Sequence, residues 1–289
     1  MRKWDRIHPA AVFVYFLSVI LITMLSGHPA VSVVSLIGAV LFYSTLPVKR
    51  AYRAHLFSLI LFLILTLINP LFSKSGETVL FFFNRRPITL EALLYGSNAA
   101  ASLTASLYWL RCFSHIFTSD KLLYLFSRLS KKLALVLSMA IRFVPLFKEQ
   151  YHKISDVQKA LGLYQDNNII DGIKGRIRVV DILITWVIEG GIVTAESMEA
   201  RGYLSGRRSF YSGYRIRPFD ILLIVLSVCC SVISALYVYT ADFHFYPSIG
   251  SRSFAYSIWG FLPFVLLCLI PIIIHIEEVL RWKYSASKI

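Results

Sequence analysis

The chain has 289 residues, enough for one large or two ordinary soluble domains, yet 57% of it is hydrophobic and only 16% is charged, with a mean hydropathy of +0.65. Charges fall in blocks between membrane-length apolar runs, which places the chain among integral membrane proteins and excludes a secreted domain, a disordered chain and a zinc module. The net charge of +14 raises nucleic acid as a partner, but no basic stripe is free of adjoining apolar sequence of membrane length, so no nucleic acid is expected and charge asymmetry across a bilayer is the better reading.

In chain order, uninterrupted apolar length predicts six spans: Ala10 to Leu25, Pro29 to Leu46, Leu56 to Phe72, Ile88 to Tyr108, Ile221 to Tyr239 and Phe254 to Ile276. The basic start and apolar stretch of Met1 to Leu25 formally match a signal peptide, but further spans follow and an uncleaved first helix is expected. Only Ser26, Gly27 and His28 separate the first two spans, so they form a tight helical hairpin with Pro29 pre-set to open the second helix. With the N-terminus inside, 26 of the 30 Lys and Arg residues lie on the cytoplasmic side, leaving Lys74, Arg85, Arg86 and Arg252 opposite. Both termini and the connection Arg111 to Arg217 are therefore expected in the cytoplasm, with the chain a multi-pass protein of a prokaryotic cell membrane. The fold class is all-α: a polytopic helical bundle in the lipid bilayer with long amphipathic cytoplasmic helices. Its regions are 1–110 (four membrane helices), 111–217 (cytoplasmic) and 218–289 (two membrane helices).

The third span ends at Asn69-Pro70, and Val79 to Phe83 is too short to cross and too apolar to float free, which predicts a re-entrant or interfacial segment. The fourth span carries Gly96, Ser97, Ala99, Ala100, Ala101, Ser102, Thr104, Ala105 and Ser106. Such small side chains admit close helix approach, either by the chain's own helices or as a sliding surface for a separate membrane partner. Cys112, Cys229, Cys230 and Cys268 have no ligand-like spacing and read as small hydrophobes.

The cytoplasmic connection turns from spans to amphipathic helices. Thr118, Ser119 and Asp120 supply N-cap chemistry for a short surface helix bearing Leu122, Leu125, Phe126 and Leu129. A longer helix runs from about Leu133 to Gly162. Phe143, Phe147, Tyr151, Ile154, Val157 and Leu161 form its packing face, Lys148, His152, Asp156 and Lys159 its wet face, and a bend is expected at Pro145. Asp166, Asn167, Asn168, Asp171, Gly172 and Gly175 predict a loop. Val179 to Val193 then predicts a buried helix, interrupted by Asp181 and Glu189, that continues to Arg201 and breaks at Gly202, before the basic segment Arg207 to Arg217.

The end of this helix has a physical logic. Gly202 suits the left-handed conformation that terminates a helix, Arg201 complements the negative end of the helix dipole, and Ala200 keeps the tip slim. A planar cation at a slim tip fits a carboxylate-bearing groove on another protein, although a capped helix with a solvated Arg explains the tripeptide alone.

Three stretches together resemble the transmembrane T component of energy-coupling factor (ECF) transporters, the vitamin and metal importers of prokaryotes. Asn69 to Gly96 is similar to the family's link between its third and fourth helices. Ser119 to Phe147 is similar to its first coupling helix and the start of the next, and Ala195 to Tyr203, AESMEARGY, to its C-terminal Ala-Arg-Gly motif. The resemblance implies two cytoplasmic ATPases of the ABC class, which bind the ATP, and a membrane-embedded substrate-binding S component. It implies ATPase coupling through Ala200, Arg201 and Gly202 and through Ala160, Leu161 and Gly162. At the first of these sites the family has arginine and this chain has Leu161, which implies one charge-assisted and one apolar contact. Lys159 is a flexible point charge and does not reproduce a guanidinium fork.

No Gly-rich loop ending in Gly-Lys-Ser or Gly-Lys-Thr occurs, so energy is expected from a partner, and the seven histidines include no close pair with metal-ligand spacing. No cofactor, metal or catalytic residue is expected. The competing reading is a polytopic membrane hydrolase or lipid transferase using Glu91, Arg142, Glu189 or Glu196. Against it, Glu189 and Glu196 lie seven apart on one face, where pairing with local cations is a structural explanation.

Overall fold

A computed structural model describes residues 4, 7–48, 51–72, 76–83, 86–163, 169–203, 214–240, 243–245, 250–251 and 254–286. The predicted loop residues Asp166, Asn167 and Asn168 and most of the basic segment after Gly202 lie outside them. The described helices are α1 (Pro9–Leu25), α2 (Pro29–Thr45), α3 (Ala51–Phe72), α4 (Leu90–Ile116), α5 (Ser119–Leu129), α6 (Lys131–Ala160), α7 (Ile169–Ala200), α8 (Pro218–Thr240) and α9 (Phe254–Ala286). Two short antiparallel pairs, β1 (Val79–Phe83) with β2 (Arg86–Thr89) and β3 (Phe243–His244) with β4 (Gly250–Ser251), are the strands among the described residues, and the fold is all-α. The chain divides into one unit of 1–122 with 214–289 and a second of 123–213.

In the first unit, helix starts follow from local chemistry. His-Pro-Ala occurs twice, and each time the His side chain is the cap: Nδ1 of His8 accepts from the Ala10 N–H at 3.2 Å and Nδ1 of His28 from that of Ala30 at 3.3 Å, with proline at the first helical position. Among the described residues, Ala51–Phe72, Pro218–Val238 and Phe261–Trp282 are long and apolar enough to cross a membrane. At 17 residues each, α1 and α2 reach about 26 Å, short of a bilayer core of about 30 Å. The fourth expected span is one long helix, α4, whose small polar residues dilute its hydropathy.

The core explains that composition. Ala92, Gly96, Ala100, Ala101, Thr104, Ala105 and Ser106 are buried, and α4 packs on α1, α2 and α3, so most of the small residues serve the chain's own helices. At Gly96 an added β-carbon would lie 2.9 Å from Asn69 Cβ and 3.0 Å from the Thr66 carbonyl oxygen, the very carbonyl whose helical donor Pro70 removes. Trp109, fully buried, donates from Nε1 to Ser35 Oγ at 3.0 Å, and Ser35 Oγ lies 2.7 Å from Thr23 Oγ1. Around them Tyr15, Phe16, Phe42 and Trp4 form an aromatic cluster with neighbouring centroids 5.2 to 6.1 Å apart. Tyr15 also donates to the Leu267 carbonyl at 2.9 Å, which Pro271 leaves without its helical partner.

The apolar stretch Val79 to Phe83 is the first strand of a β-hairpin that leads into α4. Glu91, 3% exposed, ties it down: Oε1 accepts from Thr78 Oγ1 at 2.8 Å and from the Thr78 N–H at 3.3 Å. Gly76, at φ +130°, passes so close that an added β-carbon would sit 2.6 Å from Glu91 Oε2.

The second unit corrects three expectations. Asp171, Gly172 and Gly175 are helical, not loop: α7 starts at Ile169, and Gly172, Gly175 and Val179 form a buried stripe at helical spacing. Glycine here permits close packing instead of breaking the helix. The stretch Val179 to Val193 is not buried beyond Val179. Ile184, Ile188, Ile192 and Val193 are 53 to 60% exposed, because α6 covers a different face of α7. On α6 the packed face includes Phe147, whose ring meets Trp186 edge-on at 6.4 Å, and the buried Ser155 and Gln158, while Val157 and Leu161 turn outward.

Candidate functional site

The two long helices of the second unit end in the same hydrogen-bonded motif. At the end of α6 the N–H of Gly162 donates to the Lys159 carbonyl at 3.0 Å and that of Leu163 to the Gln158 carbonyl at 3.1 Å. At the end of α7 the N–H of Gly202 donates to Glu199 at 2.8 Å and that of Tyr203 to Met198 at 3.1 Å. Gly162 has φ +69° and Gly202 φ +77°. Both ends are Schellman caps in which glycine takes the left-handed position and two carbonyls of the last turn, those of Gln158 and Lys159 or of Met198 and Glu199, are satisfied within the helix.

This geometry makes the tips superimposable in their roles. Ala160 and Ala200 are the last helical residues, Leu161 and Arg201 the cap residues, and Gly162 and Gly202 the left-handed stops. All six are exposed. Leu161 is 66% exposed, and nothing lies within 4 Å of where a β-carbon on Gly162 would be. A large apolar side chain standing in water at one tip, and a guanidinium at the helix-dipole negative end of the other, are features that suit docking rather than packing. Nearby on α6, a hydrogen bond from Lys153, 2.7 Å from Glu149, holds that carboxyl below the usual carboxylate range.

The residues of the enzyme reading are divided between the two units. Glu91 is occupied in fixing the hairpin of the first unit. Arg142, Glu189 and Glu196 are exposed on the second unit, and no ion pair to either glutamate occurs among the described residues. Cys112, Cys230 and Cys268 are buried free thiols, Cys229 is an exposed one, and among the described residues no group of three His, Cys, Asp or Glu side chains is placed to hold a metal ion. Sequence reasoning missed the paired His caps and the hydrogen-bonded burial of Lys121 and Asp220; the repeated His-Pro-Ala was the available signal for the first.

Comparison with known proteins identifies the family. A family model described as cobalt transport protein matches residues 3–211. The chain is 31% identical over 103 residues to the energy-coupling factor transporter transmembrane protein EcfT of Streptococcus equi subsp. equi (strain 4047), covering 35% of this chain and 38% of that protein. It is 39% identical over 79 residues to the EcfT of Lacticaseibacillus paracasei (strain ATCC 334), covering 26% of this chain and 29% of that protein. The matched segments thus span about a third of the length of these curated relatives. The family is one of membrane transport components rather than enzymes. The chain belongs to the CbiQ family of cobalt transport proteins.

Proposed function

We propose that this chain is the transmembrane coupling subunit, the T component, of an ECF-type importer in a prokaryotic cell membrane, with both termini cytoplasmic. It passes ATP-driven motion of two cytoplasmic ABC-class ATPases to a membrane-embedded S component that takes up a vitamin or metal ion. The observation that carries this reading is the pair of exposed, identically capped tips on two packed helices. A Schellman cap satisfies two of the four orphan carbonyls of the helix end internally, so such a tip enters a protein groove with fewer backbone groups to desolvate. Arg201 then forks onto carboxylates, and Leu161 fills an apolar site.

The exposed isoleucines of α7 support a third contact. Ile170, Ile173, Ile177, Val180, Ile184 and Ile188 recur at steps of three and four and are 44 to 69% exposed. That is an apolar seam of the kind that receives a partner helix, and the S component is the partner of matching chemistry.

The test is to purify the chain from its host in mild detergent and identify what accompanies it. Two ATP-binding subunits in stoichiometric amount support the coupler. A chain that purifies without them, whatever else it carries, contradicts it.

A further inference from the structure

The segment 123–213 joins the rest of the chain through α5 on one side and through the residues leading into α8 on the other. Beside each junction, inside the first unit, lies a buried charge that the coupling reading does not use. Lys121, in the first turn of α5 and 1% exposed, donates from Nζ to the Trp4 carbonyl at 2.8 Å and to the Ile116 carbonyl at 3.2 Å. Asp220, in the first turn of α8 and also 1% exposed, accepts at Oδ2 from the Arg217 N–H at 2.9 Å and at Oδ1 from the His8 N–H at 3.2 Å.

Trp4 and His8 are four residues apart, so both stems of the 123–213 segment are hydrogen-bonded to one short stretch ahead of α1. Trp4 and His8 are themselves held in place. The Trp4 ring packs against Tyr15, Phe16 and Phe42, and His8 caps α1. Buried ions are tolerated only when their hydrogen-bonding capacity is met, and here each ion takes one backbone partner from its own junction and one from Trp4 or His8.

We propose that Trp4 and His8 form a crosstie that makes the two stems one mechanical element, so that movement of the 123–213 segment reaches the membrane bundle through α1 as well as through α4 and α8. The transmission rests on the coupler reading above; the locking of the stems does not.

The backbone offers a clean test. His8 has φ −58°, a value proline adopts, so His8→Pro deletes the N–H that reaches Asp220, while His8→Ala removes only the imidazole cap and is the control. Spin labels at the exposed positions Ser119 and Arg215, one on each stem, report their separation in the full chain in lipid nanodiscs. The account expects a single narrow distance distribution for the unmodified chain and for His8→Ala. It expects a distribution about twofold broader for His8→Pro and for Lys121→Met, with Lys121→Arg intermediate, because a charge-assisted bond of this kind shifts local opening by about tenfold. Gly96→Ala, which loosens the bundle between α3 and α4 without touching either stem or the rings around Trp4, controls for general destabilisation and keeps the distribution narrow. Equal widths in His8→Pro, Lys121→Met and the unmodified chain would overturn the crosstie, and so would equal broadening in Gly96→Ala. Since the measurement needs no ATPase, its failure is separate from failure of the coupler reading, which the purification decides.

Discussion

Arg201 and Leu161 hold the same stereochemical position in two copies of one cap, so exchanging their side chains changes charge without changing backbone demands. Arg201→Glu puts a carboxylate where the account places partner carboxylates. Co-purification of one ATPase with that variant is expected to fall by tenfold or more, about the effect of losing a charge-assisted contact and adding repulsion. Leu161→Arg gives the first tip the same cation as the second, with open space beside it at Gly162, and ATPase recovery is expected to match the unmodified chain; loss of assembly would mean that the first groove admits only an apolar group. Gly96 makes a different kind of demand. A β-carbon there meets Asn69 Cβ and the Thr66 carbonyl, both on the facing helix, so Gly96→Ala is expected to lower stability by about 1 to 3 kcal/mol, read as a fall in the detergent melting temperature.

At the scale of elements, the sequence carries most of the bundle and both tips, because the apolar lengths and the Ala-Arg-Gly and Ala-Leu-Gly endings are local signals. What it does not carry follows from tertiary context. Gly172 and Gly175 read as a loop because glycine is a poor helix former, yet in α7 they are buried, and close packing overrides propensity. Spacing alone puts Val157 on the packed face of α6, but a 30-residue helix drifts relative to its partner, and the packed face at that level lies at Ser155 and Gln158. The apolar residues of α7 past Val179 read as buried because periodicity reports that a face is apolar, not what covers it. If the S component covers that seam, Ile184→Asp together with Ile188→Asp is expected to abolish S-component co-purification while ATPase recovery stays within about twofold, since these residues lie about four to five turns from the Arg201 tip. Parallel loss of both partners would instead indicate that α7 had unfolded, which the circular dichroism of the purified variant reports.

For the molecule as a whole, an apolar bundle of α1 to α4, α8 and α9 and a two-helix unit of α6 and α7 divide the work. The bundle presents large hydrophobics along α3, α8 and α9 with exposures of 40% and more, as lipid-facing helices do. The 123–213 unit holds the candidate tips. If these tips sit in partner ATPases, a photo-crosslinker placed two residues inside each cap, at Lys159 and at Glu199, reports it when the host cells are irradiated. The account predicts that each position captures an ATP-binding subunit; capture at both positions of only lipid or of the chain's own bundle helices would contradict it.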